Sequence, residues 1–254
     1  MIDRVSRLGL ALLMPVLLTG CFLAPGKFTS NLTVNADRSF TYSYVGEVYG
    51  FDPDQAMKGM GDDKGDDGDD AKSSDSALRK IADQDDATKD HGDGGKADDR
   101  ADDRARTDAK NREIAAALSR EQGFRKVDYV GDNKFLIDYR ISGKLDHTFL
   151  FPYNLDAGII IPFVAIEVRA NGTIRVKAPG FANDNKDTSG FGSMAGGASK
   201  ATSKLDGVFT LDTDAEIVSQ NNEDGAQSAG GRKTINWKAT PLSSTPPMAV
   251  LRLK

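Results

Sequence analysis

The sequence predicts an α+β fold, a curved antiparallel β-sheet that is barrel-like, with about nine or ten short strands, one main helix and a disordered Asp-rich insertion. Three observations predict it. Apolar and polar residues alternate with period two in many short runs, Asn, Asp and Gly punctuate those runs, and only one stretch carries helical spacing.

The first segment, 1–20, is not part of that fold. Arg4 and Arg7 precede an apolar stretch from Leu8 to Leu18, and the small residues Thr19 and Gly20 follow. This is the charged, apolar and cleavable layout of an export signal. The apolar run has roughly half of the ~20 residues a spanning helix needs, and it contains Gly9 and Pro15, so removal is expected. Leu18, Thr19, Gly20 and Cys21 resemble the lipobox of bacterial lipoproteins. The resemblance implies cleavage between Gly20 and Cys21, diacylglycerol on the Cys21 sulfur and acylation of the new amino group. Two or three acyl chains would hold a protein at a membrane without a spanning helix. Phe22, where inner-membrane lipoproteins of Gram-negative bacteria carry aspartate, implies by similarity to that sorting pattern an outer-membrane protein facing the periplasm.

Cys21 is the only cysteine, which leaves none for a disulfide, a zinc cluster or a nucleophile. The net charge of −5 is unevenly spread: acidity is concentrated between Asp52 and Arg112, and the rest of the chain is slightly basic. With no clustered basic run, a nucleic-acid partner is not expected.

After an anchor and tether at 21–26, the segment 27–51 alternates Phe28, Leu32 and Val34, turns at Asn35, Ala36 and Asp37, and alternates again through Phe40, Tyr42, Tyr44 and Val48. It reads as a β-hairpin. The segment 52–100 is rich in Asp, Gly and Lys and has too little apolar surface to offset its ordering entropy, so it is expected to be a disordered, low-complexity insertion. A helix over 101–123 is supported by pairing of Asp102 with Arg106 and of Asp108 with Arg112, by Ile114, Ala117 and Leu118 on one face, and by Gly123 as a left-handed cap. The remainder, 124–254, is β-rich: Phe124–Val130 and Phe135–Ser142 form a hairpin, and Asn171-Gly172 joins Gly158–Arg169 to Thr173–Lys177. A Gly/Ser/Ala-rich loop over 183–203 leads to strands near 208–211, 215–220, 234–238 and 249–253.

Several groups invite a chemical reading. The Asp-rich insertion could gather calcium, but its order lacks the spacing of a calcium loop, and a solvated linker accounts for it. Asp212, Asp214 and Glu216 recur every second residue, which would place three carboxylates on one face as a metal or acid/base site; the wet side of an amphipathic hairpin accounts for them too. His91 and His147 have no histidine at ligand spacing, so no metal is expected. Ser189, Ser193 and Ser199 lack a nucleophile-elbow pattern and read as a loop. The run Ile159–Ile166 is apolar on both faces, as a central strand would be. Its Ile159, Ile161 and Phe163, with Trp237, are the candidates for lining an apolar ligand site. Trp237 and Tyr42 suit a cavity or the core equally.

The tail, Phe209-Thr-Leu-Asp-Thr-Asp-Ala-Glu-Ile217, Asn221-Asn-Glu-Asp-Gly225, Thr234-Ile-Asn-Trp237 and Met248-Ala-Val-Leu251, is similar in order to LppM-like lipoprotein domains when read with the opening hairpin and the helix before Gly123. The Asp-rich insertion departs from that pattern. The resemblance implies an envelope protein that contacts lipids or glycolipids, and it transfers no catalytic residue.

The expected function is therefore a non-enzymatic, membrane-anchored envelope protein that binds a lipid, a glycolipid or an envelope protein and needs no cofactor. Two alternatives stand beside it. One is an envelope hydrolase using Asp212 and Glu216; the other is a structural scaffold with the acidic segment as a spacer spanning on the order of 40 Å as random coil.

Overall fold

The computed structural model describes residues 22–51, 94–155, 159, 161–183 and 203–253. Gly20, Cys21, His91, the three loop serines and nearly all of the Asp-rich segment lie outside those residues.

The chain forms two sheets facing each other. Strands β1 (Phe22–Val34) and β2 (Ser39–Phe51) make a long antiparallel hairpin, and α1 (Gly94–Leu118) follows the Asp-rich segment. Next come β3 (Phe124–Tyr129), β4 (Lys134–Lys144), β5 (Phe149–Phe151), β6 (Val164–Val168) and β7 (Thr173–Lys177). The chain ends with β8 (Asp206–Thr213), β9 (Glu216–Gln220), β10 (Gln227–Ala229), β11 (Arg232–Ala239) and β12 (Met248–Arg252). The first sheet has seven strands in the order β10-β11-β8-β1-β2-β4-β3, and the second has five in the order β5-β6-β7-β12-β9.

The barrel expectation is corrected. β10 and β3 are the open edges of the first sheet, and the chain steps into the second sheet between Thr213 and Glu216 with no ladder joining the two. Closure would require those edges to pair. The first sheet is also mixed rather than purely antiparallel, because β8 runs parallel to β1 with Leu32 opposite Leu211.

Period-two alternation sets which side chains point inward. Phe28, Leu32 and Val34 on β1, Tyr42 and Tyr44 on β2, Ile137 and Tyr139 on β4, Phe209 and Leu211 on β8, and Ile235 on β11 are all buried. They meet Val164 and Ile166, Ile174 and Val176, and Ala249 and Leu251 of the second sheet in one core. Aromatic rings fill the space between: Tyr42 lies 5.1 Å from Phe151, Tyr44 6.0 Å from Phe163, and Phe28 stacks on Phe181 at 4.2 Å. Burial of each such side chain contributes about 1.5–3 kcal/mol.

Helix α1 packs on β3 through Asn111, Ile114, Ala115 and Leu118, a stripe at helical spacing. Ala115 holds the position that the sequence pattern assigns to Ala117, which is only half-buried. Asn111 Nδ2 donates to Asn133 Oδ1 at 2.8 Å, the Tyr129 hydroxyl donates to Asp108, and the Arg112 guanidinium lies 6.0 Å from the centre of the Tyr129 ring. The helix begins earlier than expected and ends at Leu118; Gly123, at φ +96°, then redirects the chain into β3.

Three further expectations change. Residues 22–26 are strand rather than tether, since β1 begins at Phe22 and pairs at once with Phe51. The described residues hold twelve strands, and the three-residue β5 and β10 were too short to show period-two patterning. The Ile159–Ile166 run is not one central strand. Asn154 and Ile159 form an isolated bridge that closes a loop, Pro162 has no N–H to give a ladder, and β6 starts only at Val164.

Candidate functional site

The four residues singled out for ligand binding separate in space. Ile159 and Phe163 are buried in the shared core, whereas Ile161 is 38% exposed on the loop before β6. Tyr42 is a core residue. Trp237 alone borders an open cleft.

That cleft is built by β11 and two polar turns. The Trp237 ring stacks on Phe209 at 5.6 Å, and its Nε1 donates to Asn221 Oδ1 at 3.1 Å. The same Asn221 oxygen accepts from the Met248 backbone N–H, while its Nδ2 donates to the Pro246 carbonyl at 2.7 Å. Asn221 thus ties the turn after β9 to both β11 and β12. Asn222 Nδ2 donates to the Asn236 carbonyl, and its Oδ1 is buried with no partner. Glu223, Asp224, Ser243, Ser244 and Thr245, with Phe181, Lys238 and Pro247, complete an opening of about 400 Å³. Trp237, Phe181 and Pro247 give it a small apolar wall, and the amides, hydroxyls and charged groups around them suit a hydroxylated ligand better than an acyl chain.

A second cleft, of about 380 Å³, lies where β1, β2, β8 and β11 meet on the outer face of the first sheet. Lys27, Lys204 and Lys238 line it with Glu47, Tyr49 and Asp206. The Lys204 ammonium sits 4.0 Å from the centre of the Tyr49 ring, a cation–π contact. Burial alone would raise the Glu47 carboxyl, but the Tyr49 hydroxyl at 3.1 Å and the Lys134 ammonium at 3.4 Å outweigh it and hold Glu47 below the usual carboxylate range. A third, polar opening between α1 and the β3–β4 turn is lined by Arg104, Thr107, Asp108, Asp132 and Asn133.

The three tail acids are not gathered into one site. Asp212, at the end of β8, pairs with Arg232; Asp214, between the sheets, accepts from the Ala36 backbone N–H at 2.7 Å; and Glu216, at the start of β9, pairs with Arg252 at 2.8 Å. The crossing between sheets separates what an extended chain would have aligned. His147 is exposed and pairs with its neighbour Asp146. Among the described residues no three or more His, Cys, Asp or Glu side chains stand together as a metal group, and no described helix is long and apolar enough to cross a membrane.

With this geometry in place, comparison with solved structures adds a likeness of fold. The chain is similar to the folded domain of the lipoprotein LppM of Mycobacterium tuberculosis, seen by NMR. Identity is 14%, the alignment covers 91% of each chain, and the TM-score is 0.35. LppM belongs to the group that the order of the tail motifs resembles. No protein-family model matches the chain, and no curated protein matches it.

Sequence reasoning found Trp237 but missed its partners Asn221 and Asn222, although both stand in the Asn-Asn-Glu-Asp-Gly turn it had marked. It missed the lysine cleft altogether. Lys27, Lys204 and Lys238 are scattered along the chain and form no run; the pairing of β1, β8 and β11, with the turn before β8, brings them together.

Proposed function

We propose that the chain is a lipid-anchored protein of the bacterial envelope, cleaved before Cys21 and acylated there, that binds an envelope ligand without chemical turnover. The observation that carries this reading is the sequence order that leads to Cys21: Arg4 and Arg7, the apolar run Leu8 to Leu18, then Leu18-Thr19-Gly20-Cys21, with β1 already paired from Phe22, the first described residue. The outer membrane, facing the periplasm, is the destination implied by Phe22 at that position.

Mass spectrometry of the protein from membranes tests the anchor. The expected N-terminal peptide starts at Cys21 and carries diacylglycerol and an amide-linked acyl chain, and Cys21→Ser leaves an unacylated precursor. An unmodified Cys21 on an uncleaved chain would overturn the reading.

The Trp237 cleft is the ligand site we favour, with the polar head of a glycolipid or a glycan as the ligand class. Its lining and the unpartnered Asn222 oxygen support that choice over an apolar cavity at Ile159, Ile161 and Phe163, since two of these are packed into the core. Trp237 is the sole tryptophan, so its emission reports the site directly. Envelope glycolipid extracts should shift it in the wild type and not in Asn222→Ala. The hydrolase alternative finds Asp212 and Glu216 engaged by separate arginines, which weighs toward binding.

A further inference from the structure

We propose that the lysine cleft on the outer face of the first sheet is the surface the domain lays on the membrane, where its ammonium groups meet the phosphates of anionic phospholipid headgroups. This rests on the anchor at Cys21.

The placement follows from register. β1 starts at Phe22, and Ala24 is opposite Tyr49. Two residues of strand span about 7 Å, and the Lys204 ammonium lies against the Tyr49 ring. The Tyr49 ring leans over Gly26 toward Glu47, so the lysine is held about four strand residues, roughly 13 Å, along β1 from Phe22. β8 joins β1 only from Lys27 onward, so the β1–β2 ribbon projects past β8 at this end, and Lys204, just before β8, fills the step. Because strand begins immediately after Cys21, acyl chains there would hold this corner at the leaflet surface rather than let it range on a tether.

Charge then selects the face. Three lysines, Lys27, Lys204 and Lys238, line the cleft against two acids, Glu47 and Asp206. Glu47 is already engaged by Lys134 and Tyr49. The net −5 of the chain is concentrated between Asp52 and Arg112, so the folded sheets outside that segment, slightly basic in sum, are what an anionic leaflet can attract. Interactions between exposed charges fade over roughly 8–10 Å at physiological salt, so only charges on the face that meets the leaflet bear on orientation.

The test uses mature lipidated protein with vesicles of phosphatidylcholine alone and of phosphatidylcholine with phosphatidylglycerol, reading flotation and hydrogen exchange at 203–206 and 236–240. The expected result is flotation on both vesicles, with exchange at those segments slowed on the phosphatidylglycerol vesicles, restored by high salt, lost in Lys204→Glu and retained in Lys204→Arg. Lys144→Glu, the same charge change at the far end of β4, should keep the protection. Flotation on both vesicles with identical exchange would overturn the proposed face and leave the anchor standing. Flotation only on phosphatidylglycerol vesicles, abolished by Lys204→Glu, would remove the anchor and support the lysine surface. Failure to float on either would overturn both.

Discussion

The Ser30 hydroxyl donates to the Tyr42 hydroxyl at 3.1 Å, and both side chains are fully buried on adjacent strands of the first sheet. This is a polar contact inside a core otherwise made of aromatic and aliphatic groups. Leaving one buried partner without the other costs about 1–3 kcal/mol, whereas removing both leaves no orphan. Ser30→Ala and Tyr42→Phe should each lower stability by that amount. The double variant should cost clearly less than their sum, which urea unfolding midpoints will show. Strict additivity would mean that the hydroxyls do not depend on each other.

The same burial sets the response to alkali. Burial pushes the Tyr139 phenol up to about 12, with the Glu121 charge adding to it, and burial raises Tyr42 and Tyr44 further. A phenol raised in the folded state stabilises the fold fully below its unfolded value of about 10, and that contribution fades as pH climbs toward the folded value. Stability should therefore fall above pH ~10. In an absorbance titration, three of the six tyrosines should ionise only as the protein unfolds. Smooth titration of all six near their ordinary value, with native dichroism retained, would contradict the packed interior.

How much of this was legible beforehand follows from the range of each signal. The β1–β2 hairpin shows in its alternation because one face is wet and the other buried, and the Asn171-Gly172 turn shows because Gly172 takes φ +77°. These are local facts. The parallel pairing of β1 with β8 joins residues on either side of the whole central chain and leaves no local mark. The Ile159–Ile166 run misled because apolar composition reports burial and not backbone geometry: Ile159 is buried from a loop, as Phe163 is, and Ile161 is not buried. Trp237 was legible by its type. The lysine corner was not, since each lysine by itself is an ordinary surface residue.

Two glycines separate backbone strain from steric conflict. Gly172 is at positive φ with open space around it, while Gly123 is at φ +96° and an added Cβ would come within 2.6 Å of the Tyr139 ring. A left-handed conformation costs a side-chain-bearing residue about 1–2 kcal/mol. Gly172→Ala should show that loss alone. Gly123→Ala should lose more, because the Tyr139 ring, packed 4.5 Å from Phe151, would have to shift. Equal unfolding midpoints for the two variants would mean that the ring moves freely.

Asp212 and Glu216 offer a last discrimination, between structural acids and a reactive pair. Asp212 accepts from Arg232, whose NH1 also donates to Asn35 Oδ1 at 3.0 Å, and Thr234 Oγ1 donates to the other carboxylate oxygen at 3.1 Å. The carboxylate thus ties β8 to β11 and, through Arg232, to the β1–β2 turn. Glu216 has only Arg252, and both members of that pair are more than half exposed. An exposed ion pair contributes about 0–1 kcal/mol, and a partly screened, multiply bonded one somewhat more. Glu216→Gln should leave unfolding nearly unchanged. Asp212→Asn should destabilise by about 1 kcal/mol and loosen exchange at Asn35 and Thr234 together. A catalytic pair would behave differently, with little change in stability from either substitution and a common loss of hydrolysis of envelope esters or glycosides by both.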